Sequence, residues 1–258
     1  MLSRNQISFI KSLQHKKYRQ LHKCFVAEGT RIVEELMQSS FRINQICATK
    51  EWILKNKAAS EKLNTEITPV TLNELSRISS LKTANQALAV VAIPATIFEF
   101  ETASRQFVIM LDGISDPGNL GTILRTADWF GINHVLCSSD TVDVYNPKAI
   151  QASMGSIARV NVCYLDLKEV LEKLQPDIPV YGSLLKGVPV KDIHFKKNGM
   201  IIIGNEAHGI GKALLPYITH PVLIPSVIAD GAGTHRPESL NAAVAAAILC
   251  WECKKSMV

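Results

Sequence analysis

Phe107–Gly131 reads FVIMLDGISDPGNLGTILRTADWFG, which combines a strand, a polar turn and a helix. Phe107–Leu111 is an unbroken apolar run, as expected of a strand buried on both faces of a parallel sheet. Asp112-Gly113 and Asp116-Pro117-Gly118 supply turn residues, because Pro fixes φ and Gly accepts φ > 0. Asn119 is then the predicted N-cap of a helix starting at Leu120. On that helix Ile123, Ala127 and Phe130 recur at helical spacing, while Arg125 and Asp128 are polar. A strand that runs into a helix N-terminus offers free backbone N–H groups and positive partial charge. Such a turn suits an anion, for example a substrate phosphate.

The same alternation continues toward the C-terminus. Apolar runs fall at His134–Cys137, Val160–Tyr164, Val180–Leu185, Met200–Ile203 and Val222–Ile224. Helical stretches are predicted at Lys148–Ser156, Leu167–Leu174 and Lys212–Tyr217, with a terminal Ala-rich helix over Ser239–Cys253. The pattern predicts an α/β domain at 107–258, a mainly parallel sheet with helices on both faces. Ligands of such sheets sit beyond the carboxyl ends of the strands, so the turns after Leu111, Ile203 and Ile224 are the candidates.

Upstream, residues 96–106 lack strong periodicity and read as a linker. Residues 1–95 read as a smaller α/β domain. Its predicted strands are Cys24–Ala27, Ile43–Ala48, Thr68–Val70 and Leu88–Ile93. Its predicted helices are Arg4–Leu13, Thr30–Gln38, Lys50–Asn56 and Leu72–Ile78, with His15–Lys23 as a basic link.

At 258 residues, 47% hydrophobic and 20% charged, the composition is that of an ordinary globular protein. The net charge of +5 is unevenly spread, with 14 Lys/Arg against 7 Asp/Glu in residues 1–95. The first 27 residues hold six basic side chains and no acid. This suits a grip on a polyanion, and equally a solvated basic surface. The six cysteines are scattered in apolar surroundings with no secretory leader before them, so reduced core thiols of a cytoplasmic protein are expected. Cys250-x-x-Cys253 lacks a second ligand pair, and the seven histidines have no metal-like spacing, so no metal site is expected. No apolar run reaches membrane-spanning length.

The three turns contribute Asn119 and Arg125; Gly204, Asn205 and Glu206; and Ser239 and Asn241. Asn119 and Ser239 could serve only as helix N-caps, and Arg125 could simply pair with a surface acid. Asn241 would lie one turn inside a helix, where it needs a bonding partner. There is no dinucleotide fingerprint, Walker loop or nucleophile elbow.

DPGNLGTILRTADWFG, IIIGNEAHGI and IPS…ESLNAAVAAAILCWE resemble the three ordered motifs of the SpoU/TrmH family of RNA ribose 2′-O-methyltransferases. FVAEGTRIVEEL within residues 1–95 resembles that family's small substrate-binding domain. Asn146–Val162 resembles a stretch common between the first two motifs, with Gln151 where a basic residue is frequent. The resemblance implies a C-terminal trefoil knot, S-adenosylmethionine as methyl donor, and a homodimer. The substrate would be structured RNA, ribosomal RNA in the first place and transfer RNA in the second. Lys16, Lys17, Arg19 and Lys23 would then contact RNA.

By the same resemblance Gly204, Ile224, Leu240 and Leu184 would line the cofactor. Arg125, Asn119, Glu206, Ser239 and Asn241 would fall at catalytic positions. Arg125 would bind the adjacent phosphate and ease negative charge on the 2′-oxygen, since a guanidinium makes a poor base. Glu206 would orient Arg125 or Asn119. The third motif is longer than usual, with VIADGAGTHRPE (Val227–Glu238) inserted and Ser226 replacing a commonly larger apolar residue. The insertion could be a lid, a distortion of the pocket or a surface loop. The alternative to an enzyme is an RNA-binding protein of the same fold with weak or lost methyl transfer.

Overall fold

The computed structural model describes residues 2–61, 63, 65–226 and 239–255. The third-motif insertion, Val227–Glu238, lies outside the described residues. In chain order the elements begin α1 (Arg4–Ser12), α2 (Lys16–His22), β1 (Cys24–Glu28), α3 (Thr30–Met37), β2 (Ile43–Ala48), α4 (Lys50–Lys55), α5 (Lys57–Ser60), β3 (Glu66–Pro69), α6 (Leu72–Ile78) and β4 (Ala87–Ala92). There follow α7 (Thr102–Arg105), β5 (Phe107–Asp112), α8 (Pro117–Trp129), β6 (His134–Cys137), α9 (Pro147–Ser153), β7 (Asn161–Tyr164), α10 (Leu167–Glu172), β8 (Val180–Pro189), β9 (Gly199–Gly204), β10 (His220–Leu223) and α11 (Ala242–Lys254). The chain divides into two compact units.

Unit 1 contains the chain up to Ala95 together with Asp143–Arg159. Its sheet has the order β1-β4-β2-β3, antiparallel except for the β2–β3 pair. Capping boxes start α1 (Ser3 with Gln6) and α6 (Thr71 with Glu74), closing free N–H groups at the N-terminus of each helix. Ile10, Leu13, Val26, Cys47, Leu75, Ile78, Leu88 and Val90 form the core. The expected link over His15–Lys23 is instead the helix α2. Its interior, KKYRQLH, has no Gly or Pro and is rich in good helix formers. Lys23 ends it in the left-handed region, φ 51°, and turns the chain into β1.

The segment Asp143–Arg159, expected in the second domain, packs in unit 1. Arg19 explains part of this. Its guanidinium donates to Asp143 Oδ2 (2.6 and 2.9 Å) and to the carbonyls of Leu13 (2.9 Å) and Gln14 (2.8 Å). The Tyr145 ring lies 4.7 Å from that of Phe25, α9 packs on β1, and Arg159 pairs with Glu35. These contacts join residues more than a hundred positions apart, so no local pattern announces them.

Unit 2 holds Thr96–Val142 and the chain from Val160. Its six strands run β10-β8-β9-β5-β6-β7, and every pair is parallel. Helices α7, α8 and α11 pack against the sheet. Residues 96–106 are no free linker, because Phe98 and Ala103 are buried in this unit's core. Asn198 Nδ2 also donates to the carbonyls of Ala103 (3.2 Å) and Ser104 (2.9 Å). The helix expected at Lys212–Tyr217 shrinks to a 3₁₀ turn at Leu215–Tyr217, where Pro216 has no N–H to continue a helix. Because all strands are parallel, their carboxyl ends share one edge. Asp112 of β5 sits beside Gly204 of β9 there.

Candidate active site

The helix after β5 begins earlier than expected. Asp116 is its N-cap, accepting from Asn119 N at 3.0 Å, and Pro117 takes the first helical position. Asp-Pro at a helix start is a readable signal, since Pro lacks the N–H that would be unsatisfied there. Asn119 is therefore no cap, and its carboxamide is free for other partners. Its Nδ2 donates to Glu206 Oε1 at 2.5 Å, and its Oδ1 accepts from Asn241 Nδ2 at 2.9 Å. Three residues from three separate turns thus form one chain of hydrogen bonds.

Asn241 differs from expectation as well. It caps α11 rather than lying inside it, with Oδ1 accepting from Ala243 N (2.9 Å) and Val244 N (3.3 Å). One face of its amide serves the helix and the other serves Asn119. Ser239 precedes the helix, and its Oγ reaches the Glu206 carbonyl at a long 3.4 Å. Arg125 does not join the cluster. It is exposed on α8, and among the described residues its guanidinium has no hydrogen-bond or ion-pair partner. The surface acid that could have claimed it is absent among the described residues, and Glu206 bonds Asn119 instead.

The turn carrying Glu206 is built from backbone. Asn205 and Gly209 exchange two main-chain hydrogen bonds (3.1 and 2.8 Å), and Asn205 Oδ1 accepts from Ala207 N and His208 N. Asn205 Nδ2 reaches across to the Gly113 carbonyl (2.7 Å), and Asp112 Oδ2 accepts from Gly211 N (2.7 Å). A Cβ on Gly204 would lie 2.2 Å from the carbonyl carbon of Gly209, so the turn closes only over glycine. Asn205, named in the sequence only as a turn residue, and Asp112, given no site role there, hold this turn in place. Both stand at strand ends in the quoted motifs, and a polar side chain there is the signal that could have found them.

Of the expected cofactor residues, Gly204 ends β9, Ile224 follows β10 half-buried, and Leu240 is 47% exposed one residue before Asn241. Leu184 is half-buried against the core of the unit and has a packing role of its own. The close backbone approach at Gly204 and the apolar side chains of Ile224 and Leu240 are chemistry that fits S-adenosylmethionine, whose adenine is held by burial and main-chain hydrogen bonds. Lys16, Lys17 and Lys23 are exposed on and after α2. Arg19 is the correction. It is 2% exposed and commits four of its five N–H donors to Asp143 and two carbonyls, so it is buried away from RNA.

All six cysteines are buried free thiols. Burial pushes the Cys253 thiol up to about 12, and it donates to the Cys250 carbonyl at 3.2 Å. A thiol this reluctant to ionise is a poor nucleophile and metal ligand. Among the described residues no group of three His, Cys, Asp or Glu side chains could hold a metal ion. No helix among them is long and apolar enough to cross a membrane.

Comparison with known proteins agrees with this geometry. Residues 106–251 match the model of the SpoU rRNA Methylase family, and residues 4–89 match an MRM3-like substrate binding domain. The chain is 32% identical to the 23S rRNA (guanosine(2553)-2'-O)-methyltransferase RlmP of Bacillus subtilis, over 95% of this chain and 94% of that one. A putative RNA methyltransferase of the TrmH family from Porphyromonas gingivalis superimposes with a TM-score of 0.83 at 34% identity, covering 99% of both chains. The SpoU methyltransferase AviRb of Streptomyces viridochromogenes, solved with AdoMet, shares the fold at a TM-score of 0.85 and 22% identity, over 99% and 98% of the two chains. With a parallel sheet of this order and its three motifs meeting at one edge, the chain belongs to the SpoU rRNA methylase family.

Proposed function

We propose that this protein transfers a methyl group from S-adenosylmethionine to a ribose 2′-hydroxyl of ribosomal RNA. The observation that carries the proposal is the chain Asn241–Asn119–Glu206, which joins all three family motifs at the carboxyl edge of the sheet. The rRNA 2'-O-methyltransferase relative, matched along nearly its whole length, supports the same reaction.

When bound, S-adenosylmethionine supplies a sulfonium methyl to the nucleophilic oxygen. Gly204, Ile224, Leu240 and Leu184 would hold it through backbone and apolar contacts. Arg125, unpaired within the described chain, takes the phosphate next to the reacting ribose and stabilises charge developing on the 2′-oxygen. Glu206 fixes the Asn119 amide, Asn241 fixes its other end, and Ser239 braces the Glu206 turn. Much of the rate then comes from alignment of the two reactants.

Unit 1 is the RNA-binding module in this reading, with Lys16, Lys17 and Lys23 as phosphate contacts. Its match to a substrate-binding family model and its basic surplus support that role. A homodimer is part of the proposal, supported by large apolar side chains open on α8 and α11: Trp129 is 84% exposed and Trp251 50%. So is a C-terminal trefoil knot, in which the final segment of the chain would thread beneath an earlier loop. Buried thiols suit work in the reducing cytoplasm.

The test is calorimetric titration with S-adenosylmethionine, followed by transfer of labelled methyl to ribosomal RNA and mapping of the modified ribose. The expected result is cofactor binding by both the native protein and Arg125→Ala, with transfer by the native protein alone. Native protein that binds cofactor yet labels no ribosomal RNA under any assembly state of the substrate sinks the proposal.

A further inference from the structure

Four aromatic rings meet on the surface of unit 1, where α2 passes α1. Tyr18 and His22 lie one helical turn apart with nearly parallel rings, 11° between planes and centroids 6.3 Å apart. His15 meets Tyr18 edge-on at 6.4 Å. Phe9 meets His22 edge-on at 5.1 Å and is itself anchored against the unit's core. Tyr18 is 39% exposed and neighbouring Leu21 67%, and His15 and His22 are exposed too. Among the described residues the Tyr18 hydroxyl has no hydrogen-bond partner, so no internal bond explains why this ring stays at the surface.

The two helices that carry the rings hold basic side chains and no acid of their own. Lys11, Lys16, Lys17 and Lys23 are exposed on the same two helices and the residue after them. No acid occurs before Glu28. Flat rings interleaved with cations match a strand of unpaired nucleotides, whose bases stack on rings while phosphates pair with lysines. A duplex would offer the phosphates but not the base faces, which are already stacked within it.

We infer that the Tyr18–His22 ring pair is a stacking platform for unpaired bases of the RNA, with Lys16, Lys17 and Lys23 taking the neighbouring phosphates. The inference rests on the reading of unit 1 as an RNA-binding module and adds to it a class of substrate, a loop or single strand of the RNA. It also replaces buried Arg19 with ring contacts as the source of grip on this helix. Phe9 holds the His22 ring edgewise, so the platform is rigid before RNA arrives and less freedom is lost on binding.

The experiment compares binding of a short unpaired RNA oligonucleotide and an RNA duplex by fluorescence anisotropy. The full chain is used, with S-adenosylmethionine calorimetry on each variant as a check that unit 2 is intact. Tyr18→Ala and His22→Ala are each expected to weaken binding of the unpaired oligonucleotide by about ten-fold. Their duplex binding should stay unchanged, and Tyr18→Phe should bind the unpaired strand as the native protein does. Native-like binding of the unpaired oligonucleotide by both alanine variants overturns the platform and leaves the RNA-binding reading standing. So does native protein that binds the duplex alone. Native protein that binds neither oligonucleotide overturns the RNA-binding reading of unit 1 and the platform with it.

Discussion

Arg19 in unit 1 and Arg125 on α8 of unit 2 carry the same guanidinium into opposite surroundings. Arg19 is enclosed by a carboxylate and two carbonyls, and its planar fork serves three acceptors at once. Arg125 stands in solvent on the helix that carries Asn119, with no partner among the described residues. The first charge is consumed by the fold, holding Asp143 and the segment behind it. The second remains for a ligand. Basic residues near a suspected polyanion site therefore divide by what their donors already touch, and that is decided by residues distant in sequence.

The contrast breaks or sharpens most visibly at Arg19. Arg19→Ala leaves the half-buried Asp143 carboxylate with only the Tyr145 N–H among the described residues and takes the donor from the Leu13 and Gln14 carbonyls, so a loss of about 3 kcal/mol in unfolding free energy is expected from urea melts. Arg19→Lys should recover only part of this, because an ammonium cannot reproduce the fork. A loss near zero would mean that Arg19 is no more structural than a surface charge.

At Arg125 the expected effect moves from stability to turnover. Arg125→Ala should lower methyl transfer by about a hundred-fold while thermal stability changes by less than ~0.5 kcal/mol. If the variant melts like a core mutant, the guanidinium has a structural partner and the comparison between the two arginines collapses.

The smallest effect is at Asn241, which stands between the two roles. Asn241→Ala should cost about 1 kcal/mol through the lost helix cap. Asn241→Asp keeps a capping oxygen but cannot donate to Asn119. Near-native melting with reduced transfer would assign the two halves of the amide to separate tasks. Equal loss of transfer in both variants with equal melting would show that only the link to Asn119 matters.

Much of unit 2 was legible because its strands are buried on both faces and therefore announce themselves as apolar runs. Phe107–Leu111 and His134–Cys137 emerged within a residue of their observed bounds. Residues of the cluster were legible only through the family motifs, since Glu206 alone reads as any loop acid. The misplaced features have separate causes, local or distant. Asn119 looked like a cap because Asn is a good one, yet Asp116 two positions before Gly118 had the better claim with Pro117 behind it. Residues 96–106 looked like a linker because a four-residue helix is too short to show periodicity, although Phe98 was already a core side chain. Asp143–Arg159 follows unit 1 through contacts whose other halves lie near the start of the chain. Local pattern records which face of an element is apolar and is silent about which distant element it meets.

The Asn119 carboxamide has a consequence for timing. One of its partners comes 87 positions later and the other 122. During synthesis the first motif is made long before either, and closing loops of that length is among the slower events of folding. A chain halted anywhere before Asn241 would carry the opening motif and much of the sheet but no completed pocket, so unfinished copies bound to ribosomes would be silent toward the very RNA around them.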